Sequence, residues 1–238
     1  MKYLVLFMLI ITTGNCHAQG FAIVELFTSQ GCSSCPAADK YLSELIEKAE
    51  KEGKTIFALS FHVDYWNYIG WRDPYSSKEF TDRQKTYFEN TKTTSIYTPQ
   101  VLVNGSEEFV GSNKKGIEGA VESALTQNPG TRINIKDARV SDGMIHLSYV
   151  LDNNSTGEIL NLALVERNVE NFLSRGENSG KRLHHDNVVR AFKSFPLNRA
   201  GDLVLKIPSL DPSKTTVIVY VQDNKWRVIG ATSIPLPY

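Results

Sequence analysis

The chain has 238 residues, in which 26 lysines and arginines balance 26 aspartates and glutamates. That length admits one large domain or two of ordinary size. Zero net charge leaves no electrostatic footprint for nucleic acid, and no charged block reads as a tail. Beyond the N-terminus no apolar run is long enough to span a bilayer, so no integral membrane segment is expected after signal removal.

Residues 1–18 read as a signal peptide. Lys2 is the positive n-region, and Tyr3 to Ile11 is an apolar h-region too short to cross a membrane. Thr12 to Asn15 form a polar c-region, and Cys16-His17-Ala18 predicts cleavage before Gln19. Lipidation at Cys16 is the minor alternative, because Asn15 sits where that signal wants a small residue. The protein is therefore expected to be exported, to the periplasm or the extracellular space. Of the three cysteines, the mature chain keeps Cys32 and Cys35. Two cysteines this close cannot staple a small fold. They form a redox site, half of a metal site, or a local disulfide.

Along the mature chain, Phe21 to Phe27 predicts a buried strand and Thr28 to Gly31 a turn. From Cys35 to about Lys51, apolar residues at Ala38, Tyr41, Leu42, Leu45, Ile46 and Ala49 have helical spacing, and Gly53 ends the helix. Thr55 to Val63 predicts a second buried strand. Strand, CxxC, helix, strand is the opening of a parallel α/β sheet. An aromatic-rich loop, Asp64 to Ser77, leads to a helix capped by Ser76 or Ser77. Thr98-Pro99 opens a strand over Gln100 to Val103, Asn104-Gly105 predicts a hairpin, and Glu107 to Val110 returns. Ser112 to Gln127 predicts a last helix, stopped by Asn128-Pro129-Gly130. After Gly130 the texture becomes alternating strands: Arg132 to Val140, Met144 to Leu151, Ile159 to Glu166, Asp202 to Ile207 and Thr216 to Gln222. The expected fold class is an α/β thioredoxin-like domain over 19–129, followed over 130–238 by an all-β domain, an immunoglobulin-like sandwich.

A cysteine just outside a helix N-terminus faces free N–H groups and the positive end of the helix dipole, which stabilise a thiolate. Cys32 is therefore the candidate nucleophile and Cys35, one turn in, the resolving thiol. Pro36 costs nothing there, because the first turn needs no N–H from it. A proline opening a strand, followed by an Asn-Gly hairpin and a terminal helix, matches thioredoxin topology. In that topology the bond before the proline is cis and packs against the dithiol, which adds Thr98 and Pro99 to the candidate catalytic site.

The stretches VELFTSQGCSSCPAADKYLSEL, ALSFHVDYWNYIGWRDPYSSKEFTDRQ and YTPQVLVNG together resemble the exported family DUF1223, of the thioredoxin-like superfamily. GENSGKRLHHDNVVR and VQDNKWRVIGA extend the resemblance over nearly the whole mature chain. The family name records an unknown function, so the resemblance implies the fold and, only by superfamily analogy, the reaction. The chain departs from well-studied thioredoxins in having Gly31 where they place Trp before the first cysteine.

His62 and Asp64 fall at the C-terminal end of the second strand, the sheet edge where ligands bind. Either could accept a proton from Cys35, or His62 could join the two thiolates as a metal ligand; equally, His62 could be a bonded near-core residue and Asp64 a loop cap. Trp66, with Trp71 and Tyr75, could wall the dithiol or simply pin the loop. Arg72, Asp73 and Arg83 read as a charge network beneath that loop. Adjacent His184 and His185 point to opposite faces of an extended segment and chelate poorly. The 176–190 segment is a candidate to pack back on the first domain and edge the dithiol.

Three functions remain open. The first is an exported thiol–disulfide oxidoreductase without organic cofactor, acting on a protein or small-molecule thiol or disulfide and served by a partner redox protein. The second is copper(I) handling by Cys32, Cys35 and His62. The third is a non-catalytic thioredoxin-fold binding module.

Overall fold

The computed structural model describes residues 20–91, 95–152 and 157–237. The expected signal peptide, its cleavage site and Cys16 lie outside the described residues. Strand β1 (Ala22–Thr28) is buried along its whole length, as befits a strand covered on both faces. Helix α1 (Cys35–Glu52) turns its apolar stripe inward and ends at Gly53, whose left-handed φ of 65° lets its N–H close on Ala49 and Glu50. Strand β2 (Ile56–His62) pairs parallel with β1, from Ala22↔Ile56 to Thr28↔His62. Helix α2 (Lys78–Asn90) is capped by Ser77, whose side chain accepts the Glu79 N–H. Strand β3 (Gln100–Val103) runs antiparallel to β1, and β4 (Glu107–Val110) returns against β3. Asn104 and Gly105, at φ 46° and 67°, make the tight turn between them. Helix α3 (Lys114–Leu125) is capped by Asn113.

The remaining strands are β5 (Ile133–Ser141), β6 (Met144–Leu151), β7 (Gly157–Glu166), β8 (Val169–Phe172), β9 (Arg182–His185), β10 (Val188–Pro196), β11 (Ala200–Lys206), β12 (Thr215–Asp223) and β13 (Val228–Pro235). Four of them, β8, β9, β10 and β13, were not expected from the sequence. β8 and β9 are only four residues long, with two charged or polar positions in the first and three in the second. β10 carries a register break between Val189 and Ala191, which disrupts the two-residue alternation.

One eight-stranded sheet, in the order β13-β12-β7-β10-β2-β1-β3-β4, runs through the whole molecule. The seam is β10 against β2. It is parallel at Val188↔Ser60, with the Ser60 N–H bonded to the Asn187 carbonyl at 2.9 Å. The boundary expected near Pro129 therefore separates two sequence textures within one continuous sheet. A three-stranded sheet, β11-β6-β5, faces part of it. Ile145, Leu147 and Leu203 meet Leu162, Leu164 and Val219 in that core. On the other half, α1 and α3 cover one sheet face, with Leu42, Leu45 and Ile117 against Val24, Leu26 and Val101. A third core spans the seam, where Phe27, Phe61, Phe80 and Tyr87 pack with Val165, Phe192 and Tyr220.

A buried ion pair of the first half reaches across to the second half through its hydrogen bonds. Arg83 grips Glu25 with two bonds, at 2.7 and 2.8 Å, and donates to the Tyr220 hydroxyl at 2.7 Å. The Tyr87 hydroxyl donates to the same carboxylate at 2.7 Å. Arg83 thus belongs to the sheet seam and not to a network under the aromatic loop, while Arg72 is exposed.

Candidate functional site

The C-terminal ends of β1 and β2 place the 29–35 loop, the aromatic loop and the start of α1 at one edge of the sheet. Cys32 and Cys35 are both free thiols, 1% and 0% exposed. Cys32 Sγ lies 3.2 Å from Ser34 Oγ and 3.9 Å from the Thr98 carbonyl oxygen. The Thr98–Pro99 bond is cis. The two thiols have opposite acidities. Cys32 is drawn down from the ordinary thiol range to about 6, chiefly by its hydrogen bond with Cys35; burial opposes this, and Ser34 and Thr98 assist. Cys35 is pushed far above the ordinary range by burial, then by its bond to Cys32 and the charge of Asp39.

Trp66 stands beside the dithiol, its Nε1 donating to Thr98 Oγ1 at 2.7 Å. Gly31 lies beneath it: a Cβ there would come within 3.2 Å of Ile69 Cδ1 and 3.4 Å of Trp66 Cβ. The indole therefore comes from the aromatic loop, and a bulky residue before Cys32 would displace it. Asp64 is elsewhere. Its carboxylate accepts the Thr81 hydroxyl at 2.6 Å and ties the loop to α2. His62 is fully buried, and its Nδ1 donates to Asp73 Oδ2 at 2.7 Å. Burial works against a charged ring, yet Asp73 outweighs it and raises His62 above the ordinary imidazole value. Asp73 Oδ2 also accepts the Gln30 N–H at 2.8 Å, so this pair fixes the loop that carries Cys32. Trp71 Nε1 donates to Gln30 Oε1 at 3.1 Å. Among the described residues no group of three or more His, Cys, Asp or Glu is arranged to hold a metal ion.

The second half of the chain reaches this site through the β8–β9 hairpin. Its tip bends over the 29–35 loop, where the Asn178 amide donates to the carbonyls of Gln30 and Cys32, both at 2.9 Å. Glu177 accepts the Ser33 N–H at 3.0 Å. Gly176, at φ 79°, allows the tip to close on Trp71. Farther down the hairpin, His184 is half exposed and bonded to Asp186, while His185 is buried 3.5 Å from Asp39. Asp39 and His185 were not singled out as site residues from the sequence. A carboxylate inside an otherwise apolar helix stripe was the available signal for Asp39; His185 lies in the 176–190 segment expected to pack back on the first domain, but only the hairpin's path brings its ring to Asp39.

A family model for a protein of unknown function, DUF1223, matches residues 23–222. No curated protein matches the chain. A crystal structure of an Agrobacterium tumefaciens protein superimposes with a TM-score of 0.63 at 25% identity, covering 91% of this chain and 94% of that one. A Kluyveromyces marxianus β-glucosidase overlaps at a TM-score of only 0.23 and 13% identity, over 46% of this chain and 14% of its own. With its match running from β1 into β12, through the dithiol, the seam and the hairpin, the chain belongs to the DUF1223 family.

Proposed function

We propose that the protein is an exported thiol–disulfide oxidoreductase in which Cys32 is the nucleophile and Cys35 the resolving thiol. The observation that carries the reading is the placement of two free thiols across the first turn of α1, the outer one against the Thr98 carbonyl and the inner one buried. The opposed acidities fit it: a nucleophile must be a thiolate at neutral pH, and a resolving thiol must stay protonated until needed. The β2-β1-β3-β4 order with α1 between β1 and β2 is the arrangement expected of a thioredoxin-like domain. On this reading the substrate is a protein or small-molecule thiol or disulfide, and a second redox protein resets the dithiol.

A Cys35→Ser variant expressed in its native compartment should accumulate mixed disulfides through Cys32, and Cys32→Ser should abolish them. A Cys32 acidity near that of a free thiol, about 8.5, without trapped partners would overturn the reading. Stoichiometric copper(I) binding lost in Cys32→Ser, again without trapped partners, would replace it with metal handling.

A further inference from the structure

A carboxylate and two imidazoles lie buried behind the resolving thiol, and the second half of the chain supplies one of them. Asp39 follows Cys35 by one turn of α1, so the two share a helix face. Its Oδ2 accepts the Thr28 hydroxyl at 3.1 Å, while its Oδ1 has no hydrogen-bond partner. That oxygen lies 3.5 Å from His185 Nδ1, a charge contact without hydrogen-bond geometry. His185 is 1% exposed, and neither of its ring nitrogens is hydrogen-bonded. Its ring stands edge-on to His62 at 4.9 Å, and His62 Nε2 is also unpaired.

The surrounding charges are few. Asp73 and Tyr75 sit behind His62, and Arg190 acts on it from β10. His184 and Asp186 flank His185 on its own hairpin arm and bond each other. An unpaired buried polar atom costs about 1–3 kcal/mol, and this cluster keeps four. His185 also lines a cavity of about 240 Å³, with Pro36, Lys40 and Ser43 of α1 and Arg182 and His184 beside it.

We propose that Asp39 and His185 form a proton path that carries the Cys35 proton from the interior to this cavity when Cys35 resolves a mixed disulfide. The inference rests on the dithiol exchange proposed above. In the first step the Cys32 thiolate attacks a substrate disulfide, forms a Cys32–substrate disulfide, and releases one substrate thiolate. In the second, the Cys35 thiol gives its proton to the Asp39 carboxylate. Its sulfur attacks Cys32 Sγ, the substrate–Cys32 bond breaks, and the second substrate thiolate leaves. The proton passes from Asp39 to His185 and out through the cavity; solvent protonates the released thiolates. The dithiol is oxidised and the substrate disulfide reduced, with no further reactant. Cys35 is the catalytic group, and His185 is a positioning residue that acts through Asp39.

The test uses the reduced full chain in single turnover with an aromatic disulfide whose thiolate is coloured. The first thiolate reports attack by Cys32 and the second reports resolution by Cys35. His185→Gln and Asp39→Asn should each slow the second phase on the order of a hundredfold, the size of a general acid–base contribution. They should flatten its pH profile, leave the first phase unchanged, and fail to add in the double variant. His185→Ala opens the ring's site to the cavity, so added imidazole should restore the second phase. A purely structural His185 would move neither the pH profile nor the imidazole response. Second phases of wild-type rate and pH dependence in His185→Gln and Asp39→Asn, with the first phase present, would overturn the proton path alone. Absence of the first phase in the wild-type chain would overturn the exchange reading and the path together.

Discussion

Two buried polar clusters cross the same seam, and they differ in how completely they are paired. In the Glu25–Arg83 cluster the guanidinium grips the carboxylate with two bonds, and two tyrosine hydroxyls and Gln222 complete it. In the cluster behind the dithiol, Asp39, His62 and His185 leave four polar atoms without partners. Both lie between the halves of the chain, so burial and position do not distinguish them. Pairing does: a saturated network fixes a unique packing, whereas an unsaturated one is held at a cost and has capacity to take or give protons.

The largest effect should come from breaking the saturated cluster. Arg83→Ala leaves Glu25 buried and unpaired, and should lose about 3–5 kcal/mol of stability in denaturant titration. Replacing both partners, as Glu25→Leu with Arg83→Met, should lose much less. A double replacement as damaging as the single one would show that the seam needs the charges themselves.

The next effect is at the hairpin tip. Asn178→Ala removes two hydrogen bonds to the loop carrying Cys32, and should cost about 1–3 kcal/mol. It should also speed alkylation of Cys32, whose 1% exposure the tip helps to maintain. Unchanged alkylation would place the cover elsewhere.

The dithiol and the unsaturated cluster behind it should show themselves in pH dependence. Cys32 has a depressed folded value, so the stability from its thiolate is full above the ordinary thiol range and is lost as pH falls through about 6. Its alkylation rate should rise through the same value. His62 behaves oppositely. Its folded value is raised, so the stability from its pairing with Asp73 is full below the ordinary imidazole value and is lost as pH rises through the raised one. His62→Gln should remove that second limb from a stability–pH curve and leave the Cys32 limb; survival of both limbs would contradict the assignment.

The smallest effect is at Gly31. Gly31→Ala brings a Cβ within 3.2 Å of Ile69 Cδ1, the movable end of a side chain, and should cost about 1 kcal/mol. A stability gain there would mean that Trp66 and Ile69 have room to spare.

Much of the first half was legible. β1, α1, β2, β3 and β4 lie within about a residue or two of their expected ends, the ordinary precision of such boundaries. Long apolar runs, a helical stripe and an Asn-Gly turn are strong local signals. The seam was not legible: β10 mixes Arg190 and Lys193 with its apolar residues and bulges after Val189, so its alternation is broken. Within the site, Cys32 and Cys35 stood out by spacing, and Trp66 by its loop. Asp64 looked equivalent to His62, two positions on and therefore on the same strand face, yet β2 ends at His62 and the loop then turns Asp64 to α2.

The sequence by itself determined the dithiol, its position at a helix start after a buried strand, and the change of texture near Pro129. Those are local properties, written in residues a few positions apart. The 176–190 segment was a candidate to edge the dithiol; only the tertiary structure decided that the two halves share one sheet, and that within this segment Asn178, Glu177 and His185 are the residues that close on the site from more than a hundred positions away. A hairpin carries no local mark of where its tip will rest. That place follows from the pairing of β10 with β2, which no spacing along the chain records.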